Sequence, residues 1–546
     1  MRPSRILVRA TAVASAALLA ACAGRDIAAP DLSASANSAH LLAPGTGPSR
    51  AVTPDGQPVI RVGVVSSAST ITIGSAADYL VKDKASGLVL FSGHDDDVQV
   101  SLLQSNPTKY RLQVVCGSLA AVQAKKDAAD AQGVATFTEF VPTANCTRLY
   151  LGDFASNASF TVRTAFRNQL IASGLAGTDS FWKLVTPPGN TLYAVTRGAV
   201  TRQNAAPVTI TSSDGMVRIG GAHYRGSGEV GINSAGALAG INELPLEQYL
   251  YGVVPRELGP IQYPEVEAQK AQAIVARTYA IVGLGKRASD GYDLTASTSD
   301  QVYGGFDAEY PVSNQAVDAT RGVVATYGGR LISALYSSTS GGHTADNEEA
   351  FDGTPAPYLR GIPDAERGDA FEHVPTLAVF RNNANPASLR AAREGDFESD
   401  WARFHRWTFQ WTDAEITRAV SAFANQPVGR VLEINALERG PSGRVLTLEF
   451  VTEAGSFYAH KDGIRSALKY VNAAGDLASL PSTLLFVEPV IDRKTKAVSG
   501  FSVYGGGFGH GVGMSQTGAE GMAQKGHTVD EILHHYYQGI ELATQY

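Results

Sequence analysis

Short alternations of apolar and polar residues govern the chain from residue 59 onward. Ile60-Arg61-Val62-Gly63-Val64, Ile71-Thr72-Ile73, Leu80-Val81 and Leu88-Val89-Leu90 follow one another with glycines between them. A period of two broken by glycine predicts short antiparallel strands joined by turns. The pattern returns at Val208-Thr209-Ile210 and Val217-Arg218-Ile219. It returns again at Val431-Leu432-Glu433-Ile434 and Arg444-Val445-Leu446-Thr447-Leu448-Glu449-Phe450, so residues 385–500 are expected to extend the same β-rich body. Helical spacing replaces it between 245 and 285 and at the C-terminus. The fold class is therefore α+β.

Residues 108–187 form a unit of their own. Arg111-Leu112-Gln113-Val114 and Arg148-Leu149-Tyr150-Leu151 recur at an offset of 37, each ahead of a helical pattern. The predicted order is βαββαβ, with Ser118 as the first N-cap, a second helix over 159–173, and Phe181-Trp182-Lys183-Leu184-Val185 as the last strand.

Two helices are predicted between 242 and 284. Pro245 and Pro264 suit first helical positions, where a missing N–H costs nothing, and Glu265 and Glu267 suit the positive end of a helix dipole. The second helix, 264–284, is alanine-rich and largely buried. Lys270 and Arg277 lie two turns apart on one face of it, which aims them at a polar cleft or leaves them on a solvated edge. Glu257 falls in the connection between the helices beside Val253, Val254, Pro255 and Leu258. Apolar neighbours disfavour its charged form and raise its pKa toward the range of a general acid.

Near the C-terminus Thr528 and Glu531 make a Thr-x-x-Glu capping box. The adjacent His534 and His535 point in different directions and do not read as a metal pair.

The first residues change the picture of where the chain works. Arg2, Arg5 and Arg9 precede an apolar run from Ala10 to Ala21 that ends in Leu19-Ala20-Ala21-Cys22. The run is shorter than the roughly 20 residues a membrane span needs, so it reads as a removed leader with a lipobox, and Cys22 as the lipidated first residue of the mature chain. An ordinary secretion signal is the alternative. With Ala23 next, the lipoprotein is expected at the outer membrane, facing the periplasm. Residues 23–55 are rich in Ala, Ser, Pro and Gly and read as a disordered tether.

Without the three leader arginines, 42 basic residues stand against 52 acidic ones, a formal charge of −10 that argues against nucleic acid as a partner. Setting Cys22 aside leaves Cys116 and Cys146, an even pair in an oxidising compartment, which predicts a disulfide.

Two resemblances add to this. Tyr110-Arg111-Leu112-Gln113-Val114 and Tyr150-Leu151-Gly152-Asp153-Phe154 resemble a SPOR domain, a ferredoxin-like module that binds glycan strands stripped of their peptides. The resemblance implies that Gln113, Tyr150 and Phe154 lie on a saccharide face; an inserted α/β module without a ligand is the other reading.

The segment from Asn242 to Ala280 resembles the SpoIID/LytB family. So do Leu335-Tyr336-Ser337-Ser338-Thr339-Ser340-Gly341-Gly342-His343-Thr344, Pro357-Tyr358-Leu359-Arg360, Leu480-Pro481-Ser482-Thr483 and, most specifically, Gly507-Phe508-Gly509-His510-Gly511-Val512-Gly513-Met514-Ser515-Gln516. The implied division is a first part of the body at 56–100, the insertion at 101–188, and the main domain at 189–546.

That family implies a lytic transglycosylase of peptide-free peptidoglycan, with Glu257 protonating the glycosidic oxygen and then deprotonating the muramic acid 6-hydroxyl. Glu243, Glu265 and Glu267 are nearby in sequence as alternative acids. The implied substrate-binding residues are Lys270, Arg277, Tyr279, Ser340, Gly341, Gly342, His343, His510, Ser515 and Gln516. The glycines line a sugar groove or form tight turns, and His343 and His510 orient a sugar or serve as structural groups.

Some members carry a Cys-containing zinc motif ahead of Gln-Val-Tyr. Here Thr295-Ala296-Ser297-Thr298-Ser299-Asp300-Gln301-Val302-Tyr303 offers no thiolate, so no metal and no cofactor are expected. The implied partners are peptidoglycan glycan strands, a membrane through the lipid anchor and a cell-wall amidase. A non-catalytic glycan-binding protein or amidase modifier is the competing reading, and a zinc hydrolase lacks any His-Glu-x-x-His spacing.

Overall fold

The computed structural model describes residues 51–104, 109–141, 146–185, 191–366, 397–398, 401–471 and 477–546. The leader, Cys22 and most of the tether lie outside the described residues. β1 (Val59–Ala68), β2 (Thr70–Asp83) and β3 (Val89–Gln104) follow the alternation, burying Ile60, Val62, Ile71, Ile73, Val81, Val98 and Val100 on one side.

The chain then leaves this sheet for the inserted unit. Its elements are β4 (Lys109–Gly117), α1 (Leu119–Ala131), β5 (Thr136–Val141), β6 (Cys146–Ala155), α2 (Phe160–Ala172) and β7 (Phe181–Val185). Ser118 and Ser159 cap its helices with side-chain oxygens. The four strands are antiparallel in the order β5-β6-β4-β7, and Leu112, Leu149, Leu151, Val122 and Leu170 fill the core between sheet and helices. Cys116 and Cys146 form a disulfide with Cα atoms 5.5 Å apart.

The body resumes with β8 (Leu192–Arg197), β9 (Val200–Asn204), β10 (Val208–Ser212), β11 (Met216–Ile219), β12 (Ala222–Arg225), β13 (Ser227–Ile232) and β14 (Leu238–Pro245). With β15 (Leu294–Thr295) beside β1, these complete an eleven-stranded sheet among the described residues, and its β1–β14 pairing delivers the chain to the helices. α3 (Leu246–Glu257) buries Leu246, Tyr249, Leu250, Val253 and Val254 against that sheet. Each buried Leu or Val contributes about 1.5–3 kcal/mol, which fixes the helix firmly.

α4 (Val266–Val282) lies between two cores. Ala273, Ala276 and Ala280 join the sheet core, while Ala268, Ala271, Ile274 and Val275 share a second core with Met514 and with Ala519, Met522, Ile532 and Tyr536 from the C-terminal helices. The alanines permit this two-sided contact. The Thr528 capping box opens the last of those helices, Val529–Tyr536.

Residues 407–503 gather around a third core of Trp407, Trp411, Ile416, Val420, Leu448, Phe450, Phe501 and Val503. They are attached to the body but do not share its core.

Three local expectations change. Pro245 ends β14 and occupies the N-cap of α3, and Pro264 precedes the Glu265 N-cap of α4, so neither is the first helical residue. Glu257 is the last residue of α3 and not a loop residue. Pro255 withholds a backbone donor in the final turn, and Leu258, buried in the second core, turns the chain away.

Candidate active site

The end of α3 places Glu257 where the helix pair meets two returning segments. Its Oε1 accepts a 2.6 Å hydrogen bond from Val302 N–H, and the Tyr336 hydroxyl and the Gln516 amide also hydrogen-bond the carboxyl. Tyr336 arrives on a two-residue strand that pairs in parallel with Met514-Ser515, one residue before Gln516. Gln516 is braced in turn by Gln272 of α4, 3.2 Å away.

Gln301 knits the cluster together. It accepts from the Tyr249 hydroxyl at 3.2 Å and donates to the Tyr336 hydroxyl at 3.1 Å and the Ala276 carbonyl at 3.3 Å. Burial and the neighbouring Glu257 charge push the Tyr249 and Tyr336 phenols far above their usual pKa, so both stay donors.

Dense surroundings push Glu257 up to about 7, against the opposing pull of Val302, Tyr336, Gln516 and Arg256. The residue as a whole keeps intermediate exposure, while its carboxyl is closely surrounded. A carboxyl that ionises near neutrality gives up and takes back a proton with little cost. The alternative acids are engaged elsewhere. Glu243 pairs with Arg61 and Glu267 with Lys270, while Glu265 stands at the N-cap position of α4 without a side-chain capping bond.

Of the sequence-predicted site residues, Gln516 meets Glu257 directly and most of the others do not. Arg277 is fully buried and makes a bidentate ion pair with Glu247, at 2.8 and 2.7 Å, besides donating to the Val317 and Val323 carbonyls. That corrects the expectation of a cleft-facing guanidinium shared with Lys270, whose Nζ pairs with Glu267 at 2.7 Å on the same helix. Tyr279 hydrogen-bonds Asp300 and Lys286.

The Ser340-Gly341-Gly342-His343 run is a buried turn and not a groove wall. Gly341 and Gly342 take positive φ, 78° and 98°, so that Ser340 N–H and Gly341 N–H reach Glu398 at 3.1 and 2.7 Å. Glu398 also accepts from His405, from Ser515 Oγ at 2.9 Å and from Thr517 Oγ1 at 2.8 Å. Burial alone raises a carboxylate, yet these donors hold Glu398 below the usual range. The buried Arg444 ties the same turn from the other side, donating to the Ser340 and His343 carbonyls at 2.8 and 2.9 Å. Asp364 takes the Ser340 hydroxyl at 2.6 Å.

Ser340, Gly341, Gly342, His343 and Ser515 thus stabilise the segment that carries Tyr336 and are buried. His343 Nδ1 is committed to the Thr344 carbonyl. His510 keeps intermediate exposure, with its ring turned to the backbone. Its Nδ1 accepts from Val512 N–H, its ring meets the Tyr336 carbonyl, and burial lowers it to about 4, so it is neutral at pH 7. It supports the backbone of Tyr336.

In the inserted unit Tyr150 is wholly buried with its hydroxyl on Glu139 at 2.7 Å. Phe154 packs edge-on against Phe166 and Trp182 at 4.9 and 5.4 Å. Tyr150 is a packing residue, contrary to the saccharide-face expectation, whereas Phe154 keeps intermediate exposure; Gln113 is half-buried on β4 between Tyr150 and Phe181.

Sequence reasoning missed Gln301, Tyr336 and Glu398. The first two stand inside the motif stretches already noted, so motif membership was the available signal. A concavity of about 700 Å³ on the large sheet, lined by Asp78, His94, Arg197 and Ser212 among others, contains none of the Glu257 cluster. Among the described residues no group of three or more His, Cys, Asp or Glu side chains gathers as a metal site.

Residues 234–327, which carry α3, α4 and the Val302 loop, match the family model described as stage II sporulation protein. Residues 345–513 match a domain of unknown function, DUF8618. An uncharacterized protein of Brachyspira hyodysenteriae is 31% identical over 307 residues, covering 55% of this chain and 67% of its own. The amidase enhancer of Bacillus subtilis is 29% identical over 54% of this chain, which spans only 40% of that relative's length. Stage II sporulation protein D of Bacillus amyloliquefaciens is 26% identical, over 56% of this chain and 75% of its own. Since the family-matched segment is the one that builds the Glu257 pocket, and the likeness continues over more than half of the chain, this protein belongs to the stage II sporulation protein (SpoIID) family.

Proposed function

We propose that this protein is a lytic transglycosylase that cleaves peptide-free glycan strands of peptidoglycan, with Glu257 as its single acid and base. The observation that carries the reading is the state of that carboxyl: raised to about 7 and hydrogen-bonded by the neutral groups Val302 N–H, Tyr336 and Gln516.

Protonated Glu257 gives its proton to the glycosidic oxygen as the bond to muramic acid C1 breaks. The resulting carboxylate takes the proton of the C6 hydroxyl as that oxygen bonds to C1. A 1,6-anhydro end forms, a free hydroxyl is left on the departing sugar, and no water is consumed. One group serves both steps because its pKa lies near the working pH. Tyr336 and Gln516, both donors, stabilise the carboxylate between the two transfers.

A second reading, a non-catalytic glycan binder that modifies an amidase, draws support from the amidase enhancer among the relatives. An amidase fits both readings, since removal of stem peptides supplies the stripped strand. In the same proposal Cys22 anchors the chain to the outer membrane facing the periplasm. The inserted unit acts as a SPOR-like second glycan contact that raises avidity, through surfaces other than the buried Tyr150.

The test is to digest purified peptide-free strands with the protein and its Glu257→Gln variant and to measure strand co-sedimentation in parallel. Cleavage by the parent alone, with binding kept by both, supports the enzyme. Equal binding with no cleavage by either supports the binding protein.

A further inference from the structure

We propose that Asp300 is a positioning residue, whose carboxylate clamps the 295–303 loop so that Val302 presents its N–H to Glu257. This inference rests on the reading of Glu257 as the acid and base.

Asp300 lies in an irregular loop, where a carboxylate is ordinarily solvated, yet its side chain has 0% exposure. Donors from three places converge on it. Thr295, at the end of β15, gives Oδ2 both its N–H and its hydroxyl at 2.9 Å. Arg287 Nε donates to Oδ2 at 2.9 Å and Lys286 Nζ to Oδ1 at 2.6 Å, both from the turn after α4. Tyr279 of α4 adds its hydroxyl at 3.3 Å. Burial disfavours the charge, but the two cations and these donors overcome that and keep Asp300 below its usual pKa.

Of the three residues after this anchor, two reach the site and the third ties the loop to the sheet. Gln301 links the Tyr249 and Tyr336 hydroxyls, Val302 N–H meets Glu257, and the Tyr303 hydroxyl donates to Asn242 at 2.8 Å. None of the three is in regular secondary structure, so no ladder or helix fixes their direction. The fixed points are the Asp300 clamp on one side and Tyr303 on the other. A shift of a few tenths of an ångström at Asp300 moves the Val302 N–H and the Gln301 amide together, and with them the hydrogen bonding of the acid.

Lys286, Arg287, Tyr279 and Tyr292 face Asp300, and Arg256, Tyr336 and Tyr249 face Glu257; Tyr249 feels the charge of both carboxylates. The hydrogen-bonded route from Asp300 to Glu257 is the loop that carries Val302.

The experiment follows the titration of Glu257 in the protein labelled with carboxyl-13C glutamate, the signal being assigned by its loss in Glu257→Gln. Two variants disturb the clamp without deleting its charge: Asp300→Glu lengthens the arm, and Thr295→Val removes one hydroxyl. The expected result is that Glu257 titrates higher, by about one pH unit in Asp300→Glu and less in Thr295→Val. One backbone donor is worth about that much to a carboxylate.

The alkaline limb of the cleavage profile should move with it. A merely structural role lowers the melting temperature and leaves the Glu257 titration where it was, which overturns the proposal. If Asp300→Glu does not fold, Thr295→Val decides alone. If no form cleaves glycan, the transglycosylase reading fails, and the titration still decides the role of Asp300.

Discussion

Glu257 and Val302 are joined by a 2.6 Å hydrogen bond from backbone N–H to carboxylate, linking the last turn of α3 to an irregular loop 45 residues further on. The bond favours the ionised form, while the crowded surroundings favour the protonated one, and the balance stands near 7. A carboxyl so placed costs the fold something at neutral pH, and that cost is measurable.

Because the folded-state pKa of Glu257 is raised above its unfolded value of 4.5, the folded protein binds the extra proton between about pH 4.5 and 7. Its contribution to stability falls as pH rises through that window and stays low above it. Glu257→Gln, which cannot ionise, should match the parent at pH 4 and be more stable at pH 8, by on the order of 2 kcal/mol. Denaturant unfolding at the two pH values checks this.

Tyr336→Phe removes a donor from the Glu257 carboxylate and the acceptor of the Gln301 amide while keeping the ring. The Glu257 pKa should rise, moving the alkaline limb of the cleavage profile upward by about half a pH unit. The rate at the optimum should fall by roughly 10–100-fold, the usual cost of losing one polar group at a reacting centre. A pH–rate profile of strand cleavage separates the two effects.

Arg277→Met should destabilise the protein by about 3–5 kcal/mol, because it leaves Glu247 buried without its cation. The double change with Glu247→Leu should recover part of that loss. Cleavage per folded molecule should be unaffected if the pair only joins α3 to α4, and thermal melting beside activity tests it.

Glu398→Gln removes the anion on which the Ser340 and Gly341 N–H groups, Ser515, Thr517 and His405 converge. The folded-state pKa of Glu398 is depressed, so its stabilisation is present above the unfolded value near 4.5 and is lost as pH falls through the lower folded value. The variant should therefore be destabilised at pH 7 and show a weaker acid dependence than the parent, read as the change in melting temperature between pH 7 and pH 3.

Much of this was legible in the sequence, for identifiable reasons. Period-two runs marked β1 to β3, Ser118 and Thr528 announced their helices as caps, and apolar neighbours around Glu257 announced its raised pKa. What the sequence concealed was the direction in which a face looks. Helical spacing placed Lys270 and Arg277 together, but the Glu247 carboxylate that captures Arg277 comes from another helix. The glycines of Gly341-Gly342 signalled close approach, and the approaching group proved to be Glu398, a residue in the acid-rich stretch Glu394-Gly395-Asp396-Phe397-Glu398 with no local pattern to distinguish it.

The central claim is best tested by digesting peptide-free glycan strands in heavy-oxygen water and weighing the new ends by mass spectrometry. The account predicts ends lighter by one water than a reducing sugar, carrying no heavy oxygen, and absent with Glu257→Gln. New reducing ends that carry heavy oxygen would show hydrolysis by an activated water and contradict it.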